Sequence, residues 1–179
     1  MAEALLRAWA DPRVDLVVTS AGMRALVGHP MDRGAASALG QLGIDPTRHR
    51  ARQFEAPMAV AADLVLTAEA NHREEIIGQL PTAFRRVFTI KEFARLAPLL
   101  TEPDPRAAVA EAAGMRAMVA RPHDPQADDV ADPYRRATVH SKTVAGELTA
   151  AVKAMLDTFG FSPRPARPDG ARRPMPFPR

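Results

Sequence analysis

The 179-residue chain is 46% hydrophobic, enough for one domain with a proper core, and holds no apolar run near the ~18 residues that span a bilayer. It contains no cysteine, which excludes disulfides, thiolate metal sites and thiol catalysis by these residues. The net charge of +3 is concentrated in the last 18 residues, whose five arginines and one aspartate carry +4, so the remainder stands at −1 and argues against a nucleic-acid surface on the folded part.

The first ten residues, "MAEALLRAWA", read as an amphipathic helix. Met1, Ala4, Leu5, Ala8 and Trp9 share one face, and Glu3 and Arg7 point the other way. No capping side chain precedes it, although a helix normally begins after one. "VDLVVTS" at 14–20 is a β-branched apolar run expected to form a buried parallel strand ending at Gly22. Asp32 then caps a helix with Ala35, Leu39 and Leu42 on its apolar face and Gly43 just past its end. "ADLVLT" at 62–67 and "RVFTI" at 86–90 are further strands, with a helix at 69–80 between them and "KEFARLAPLL" after. Alternating strands and helices predict an α/β fold with a parallel sheet.

Asp104 and Pro105 have the cap and first-position chemistry of another helix start. A polar loop, "RPHDPQADDVADPY", leads to a long helix over 134–159, with Leu148, Val152, Met155, Leu156 and Phe159 on one face. Six prolines in 162–179 prevent regular pairing, so this basic segment is expected to be a disordered tail. No basic lead with an apolar stretch and cleavage site opens the chain, and a cytoplasmic location is expected.

Six motifs occur in order: "MAEALLRAWA", "VTSAGMRALVGHPMD", "HRARQF", "ADLVLTAEANHRE", "FTIKEFARL" and "DVADPYRR". Together the chain resembles the low molecular weight protein tyrosine phosphatases, particularly the bacterial branch, over residues 1–161, with 101–127 as an expected insertion. The resemblance implies a three-layer α/β sandwich, a short parallel sheet flanked by helices. It also implies that the first, central strand of that sheet and its Cys-x5-Arg-Ser-Pro loop stand upstream of Met1, so that the domain as written is truncated. Removing a central strand leaves backbone groups unpaired on both sides of the gap, each costing ~1–3 kcal/mol if buried, and the polypeptide is expected to be marginally stable or aggregation-prone.

Family chemistry runs through a phosphocysteine, with a thiolate nucleophile and an arginine and loop amides around the phosphoryl oxygens. None of those groups lies in this chain, which is therefore expected to be inactive as written. Asp132, in "DVADPYRR", matches the family's general acid for the leaving oxygen, and has a structural alternative as a helix N-cap before Pro133. Tyr134, the sole tyrosine, matches the aromatic wall of the substrate cleft, or packs at the start of the last helix. Ser20, at the carboxyl end of an expected strand, matches a hydroxyl supporting the phosphate loop, or is a turn residue before Gly22. His49, in "HRARQF", matches a position in the same supporting network, or is structural.

Ala68 stands where the family commonly carries methionine, which bears on substrate preference. No Gly-rich nucleotide loop and no His-Glu-x-x-His motif occurs, and the family reaction calls for neither metal nor cofactor. The expected substrates are phosphotyrosine proteins or small aryl phosphates, with no nucleic-acid or membrane partner, and the sequence sets no oligomeric state. The alternative is a non-catalytic remnant or interaction protein. Arsenate reduction on the same scaffold needs resolving cysteines, which are absent.

Overall fold

Residues 1–119, 124, 126–131 and 138–162 are described by a computed structural model. Its sheet is two short parallel strands, β1 (Val65–Thr67) and β2 (Val87–Thr89), in register Val65↔Val87, Leu66↔Phe88 and Thr67↔Thr89. Because strand side chains alternate, Phe88 and Leu66 face one hydrophobic cluster while Val87 and Val65 face another. The larger cluster is built by α1 (Ala2–Trp9), α2 (Arg33–Gln41), α5 (Ile90–Leu96), α6 (Pro105–Met115) and α7 (Thr138–Thr158). The smaller lies under α3 (Ala56–Ala61) and α4 (Ala70–Gln79), through Ala59 and Ile76. Helices thus cover both faces of the sheet, giving the three-layer α/β sandwich.

The helices begin and end where local chemistry directs. Asp32 accepts from the amides of Gly34 (2.9 Å) and Ala35 (3.4 Å) at the start of α2, and Asp104 accepts from Ala107 (2.9 Å) at the start of α6, with Pro105 at the first helical position. Thr89 and Glu92 form a reciprocal capping box on α5. Past α2, Gly43 takes φ +73° and its amide donates to Gly40 while that of Ile44 donates to Leu39, a left-handed ending that glycine adopts without a Cβ clash. Helix α1 has Met1 at the cap position and no side-chain cap bond, as is also the case for α3 and α4.

The expected strand at 14–20 does not form. Residues 15–20 carry no strand or bridge assignment, and Val17 is 83% exposed. A strand is a property of a pair, and no neighbouring backbone within the described residues ladders with this run. Among the described residues, the nearest parallel bridge joins Gly22 to Gln53. Side chains hold the run instead: Arg7 donates to the Val18 carbonyl (Nε, 3.0 Å), and Arg52 donates to the Ser20 carbonyl from Nη2 (2.9 Å) and Nε (3.1 Å). The other expected strands shrink to Val65–Thr67 and Val87–Thr89, since pairing is confined to where both backbones run together. Helix α3 was not expected; its six residues are too few for a periodic signal. Helix α6 buries Ala108, Val109 and Ala112, so part of 101–127 packs into the core. The long last helix is seen from Thr138; 134–137, and all but the first residue of the expected tail at 162–179, lie outside the described residues.

One buried polar cluster ties layers together. The Glu92 carboxylate receives Arg116 Nε at 3.0 Å and Arg73 Nη1 at 3.2 Å, all three mostly buried. Arg116 also donates to the carbonyls of Phe84 (2.8 Å) and Val87, and stacks over the Phe88 ring at 3.8 Å. Glu92→Ala removes the carboxylate that Arg73 and Arg116 share and should cost about 3–5 kcal/mol, read from urea denaturation midpoints. A second test concerns Gly34, where an added Cβ would lie 2.6 Å from Ser141 Oγ on α7. Ser141 is fully buried and its hydroxyl has no hydrogen-bond partner among the described residues. Gly34→Ala should destabilise by ~1–3 kcal/mol, Ser141→Ala alone should be neutral or stabilising, and the double variant should recover most of the loss in a thermodynamic cycle.

Candidate functional site

The carboxyl ends of parallel strands are where α/β sheets receive ligands. Beyond the carboxyl end of β1, the Val130 amide donates to the Ala68 carbonyl (2.8 Å) and Asp129 Oδ1 accepts from the Ala70 amide (2.7 Å). Two hydrogen bonds therefore fasten the chain just before Asp132 to the strand's exit. Asp132 and Tyr134 themselves lie outside the described residues.

Ser20 and His49 are brought together, and the group that joins them is Glu3. The Ser20 hydroxyl donates to the Glu3 carboxylate, His49 Nδ1 stands 3.8 Å from the same oxygen, and Arg7 Nη2 pairs with the other at 2.9 Å. Arg52 completes the group through the Ser20 carbonyl. Glu3 and Arg52 were not singled out in the sequence. Glu3 had a local signal, its i,i+4 spacing to Arg7 on the polar face of α1; its contacts with Ser20 and His49 are long-range and had none.

The order of these groups defines what they can do. Activation of a serine needs an imidazole next to the hydroxyl, with the carboxylate behind it. Here the hydroxyl meets the carboxylate directly, and the imidazole approaches that carboxylate beyond hydrogen-bond distance. Ser20 is thus oriented by this contact rather than activated by it. Burial lowers the pKa of the Met1 ammonium beside this cluster, and Glu3 opposes that shift.

A cavity of about 320 Å³ lies beside the same end of the sheet, lined by Arg73, Thr89, Glu92, Arg95, Arg116 and Asp128 among others. Its cations are matched by carboxylates: Arg73 and Arg116 on Glu92, and Arg95 in a forked bond to Asp128, which holds the Arg95 guanidinium above its already high ordinary pKa. Such a cavity has little attraction left for an anion. Among the described residues, no group of three or more His, Cys, Asp or Glu stands together to hold a metal ion, and no helix is long and apolar enough to cross a membrane.

The family model for low molecular weight phosphotyrosine protein phosphatase matches residues 1–112. A probable low molecular weight protein-tyrosine-phosphatase, EpsP, of Ralstonia solanacearum is 39% identical over 92 residues, which are 51% of this chain and 61% of that protein. A putative low molecular weight protein-tyrosine-phosphatase of Klebsiella pneumoniae is 36% identical over 66 residues, 37% of this chain and 46% of its own. The chain thus spans at most about 61% of the length of these curated relatives. Among solved structures, the low molecular weight protein tyrosine phosphatase from T. tengcongensis superposes with TM-score 0.63 at 25% identity, covering 87% of each chain. The YwlE arginine phosphatase from Geobacillus stearothermophilus gives 0.65 at 23% identity, covering 89% of this chain and 82% of that one. With the family pattern running through more than half of its residues and the same three-layer fold, the chain belongs to the low molecular weight phosphotyrosine protein phosphatase family.

Proposed function

We propose that these residues are the scaffold and general-acid part of a phosphate monoester hydrolase, and that the 179 residues alone do not turn over phosphate esters. The nucleophile in this reading is a cysteine in a Cys-x5-Arg loop, carried on a strand encoded upstream of Met1. The observation that carries the proposal is the unpaired backbone. Residues 15–20 have no ladder on either side, and β1 pairs on one edge only among the described residues. In the family pattern a strand lies between these two segments and leads through its loop into the first helix; it would give both segments a backbone partner and place its loop at the start of α1, whose amides have no side-chain cap.

In that complete protein, the cysteine thiolate attacks phosphorus while Asp132 protonates the leaving oxygen, and water then releases phosphate from the phosphocysteine. Glu3, Ser20, His49 and Arg52 support the loop without touching the reacting atoms, and Tyr134 lines the cleft. Phosphotyrosine proteins or small aryl phosphates are the substrates of this reading, and the cytoplasm its compartment.

The intact mass and N-terminal peptide of the native protein decide the matter. A mass above 19.4 kDa by a short cysteine-containing segment is expected. The extended protein should then hydrolyse p-nitrophenyl phosphate, with turnover abolished by Cys→Ser and lowered ~10²–10⁴-fold by Asp132→Ala. The 179-residue chain should show no turnover above buffer. A native protein that begins at Met1 sinks the hydrolase and leaves a non-catalytic interaction domain; turnover by the 179 residues themselves overturns the assignment of the nucleophile.

A further inference from the structure

At the opposite, amino end of the two strands lies a second groove, of about 360 Å³, with a different charge balance. Its polar wall is Arg85, Arg86, Arg106, Thr82 and Asp63, and its floor is apolar, including Ala62 and Val109. Three guanidinium groups therefore face one carboxylate. Asp63 is committed to Arg106, through Nε at 2.9 Å and Nη2 at 3.4 Å. Arg85 and Arg86 have no side-chain partner among the described residues, and Arg86 Nε is shut off from solvent with no acceptor.

The position of Arg86 is fixed by its backbone. Its amide donates to Ala83 (2.9 Å) and its carbonyl accepts from Val65 (2.9 Å), just ahead of the β1–β2 ladder. A buried donor without an acceptor is unfavourable, and in folded proteins such groups are normally satisfied by protein, water or ligand. The Arg86 backbone is thus anchored at the edge of the groove, its half-buried side chain carries an unmet Nε donor, and the exposed Arg85 beside it has no side-chain partner among the described residues.

We propose that this groove binds a phosphate group, with Arg86 and Arg85 as its principal ligands and Thr82 as an added hydroxyl donor. Two guanidinium forks and a hydroxyl exceed what one carboxylate can accept, whereas a phosphate presents three or four acceptor oxygens and two negative charges. The volume, at the low end for small-molecule sites, suits a free phosphate or a single phosphorylated side chain. The cavity at the other end of the sheet differs in charge balance rather than in orphan donors: Arg73 and Arg95 there also keep a buried Nε without an acceptor, but their guanidinium groups already face Glu92 and Asp128. The site is separate from the Glu3–Ser20–His49 cluster, and its argument does not depend on the reaction proposed above.

The test uses the 179-residue chain, which has no cysteine loop to compete for phosphate, and follows the arginine Nε–Hε signals by NMR. Titration with inorganic phosphate should move the Arg86 signal saturably, and acetate at equal ionic strength should not. A short phosphoserine peptide binding more tightly than free phosphate would assign the source to a phosphoprotein; the reverse order would assign it to the free ion. Arg86→Leu should weaken binding about tenfold or more, with the thermal midpoint showing that the fold persists. Asp63→Asn, which removes the groove's one carboxylate, should tighten it, a gain that unfolding cannot mimic. A linear, non-saturating shift, equal response to acetate, or affinity unchanged in both variants overturns the proposal.

Discussion

Helix α7 is the element on which the larger half of the core depends. Val144, Leu148, Ala151, Val152, Met155 and Leu156 recur at helical spacing and are buried against α1, α2 and α5. Phe93 of α5 joins Phe88 of β2 edge-on at 5.0 Å and stacks with Phe159 just past α7 at 5.9 Å, so the helix, its neighbour and the sheet share one aromatic contact. The chain after α7 turns back through Gly160, and the Phe161 carbonyl accepts from Asp11 (2.7 Å), which closes the end of α7 onto the exit of α1. With so much apolar surface buried between helices, a sheet of two three-residue strands is enough to orient the two layers.

Arginine recurs where the sheet is short of backbone partners. Arg7 and Arg52 cap carbonyls of the 15–20 run, and Arg116 caps those of Phe84 and Val87 at the entry of β2. A guanidinium offers five donors in a plane and no acceptor, so it can replace only half of a ladder. The carbonyls of the extended run gain partners in this way, while its amides cannot. That asymmetry separates a segment pinned in place from a segment paired in a sheet, and among the described residues the amides of Val18 to Ser20 have no backbone acceptor.

How far the sequence was legible follows the range of the interaction. Caps at Asp32 and Asp104, and the faces of α2 and α7, depend on residues within a turn or two and were readable. The 14–20 run has the composition of a strand and not the structure, because composition speaks for one backbone and pairing needs two. Ser20 and His49 were selected by position in a family pattern, and they do converge, but on Glu3, whose role depends on a contact 17 residues away from Ser20. Asp129 received no role in the sequence and proves to tie its loop to the start of α4 through the Ala70 amide. The arginines of the amino-end groove carried no motif: Arg85 and Arg86 are sequence neighbours, but Arg106, at the start of α6, joins them and Asp63 only in the fold.

The two ends of the sheet differ in how charge is resolved, and this difference is local. Residues 1–161 are almost neutral, with the positive excess in 162–179, so net charge contributes little field at either end, and ions screen more distant charges within about 8 Å at physiological strength. At the carboxyl end, Glu92 and Asp128 answer Arg73, Arg116 and Arg95 at contact distance. At the amino end a single carboxylate answers one arginine of three. Recognition at either end must therefore come from short-range geometry: from how many donors are already committed, and from whether the backbone holds the remaining ones still. The α1 start and the β2 entry meet the second condition by different means, one through the Glu3 cluster and the other through the β1–β2 ladder.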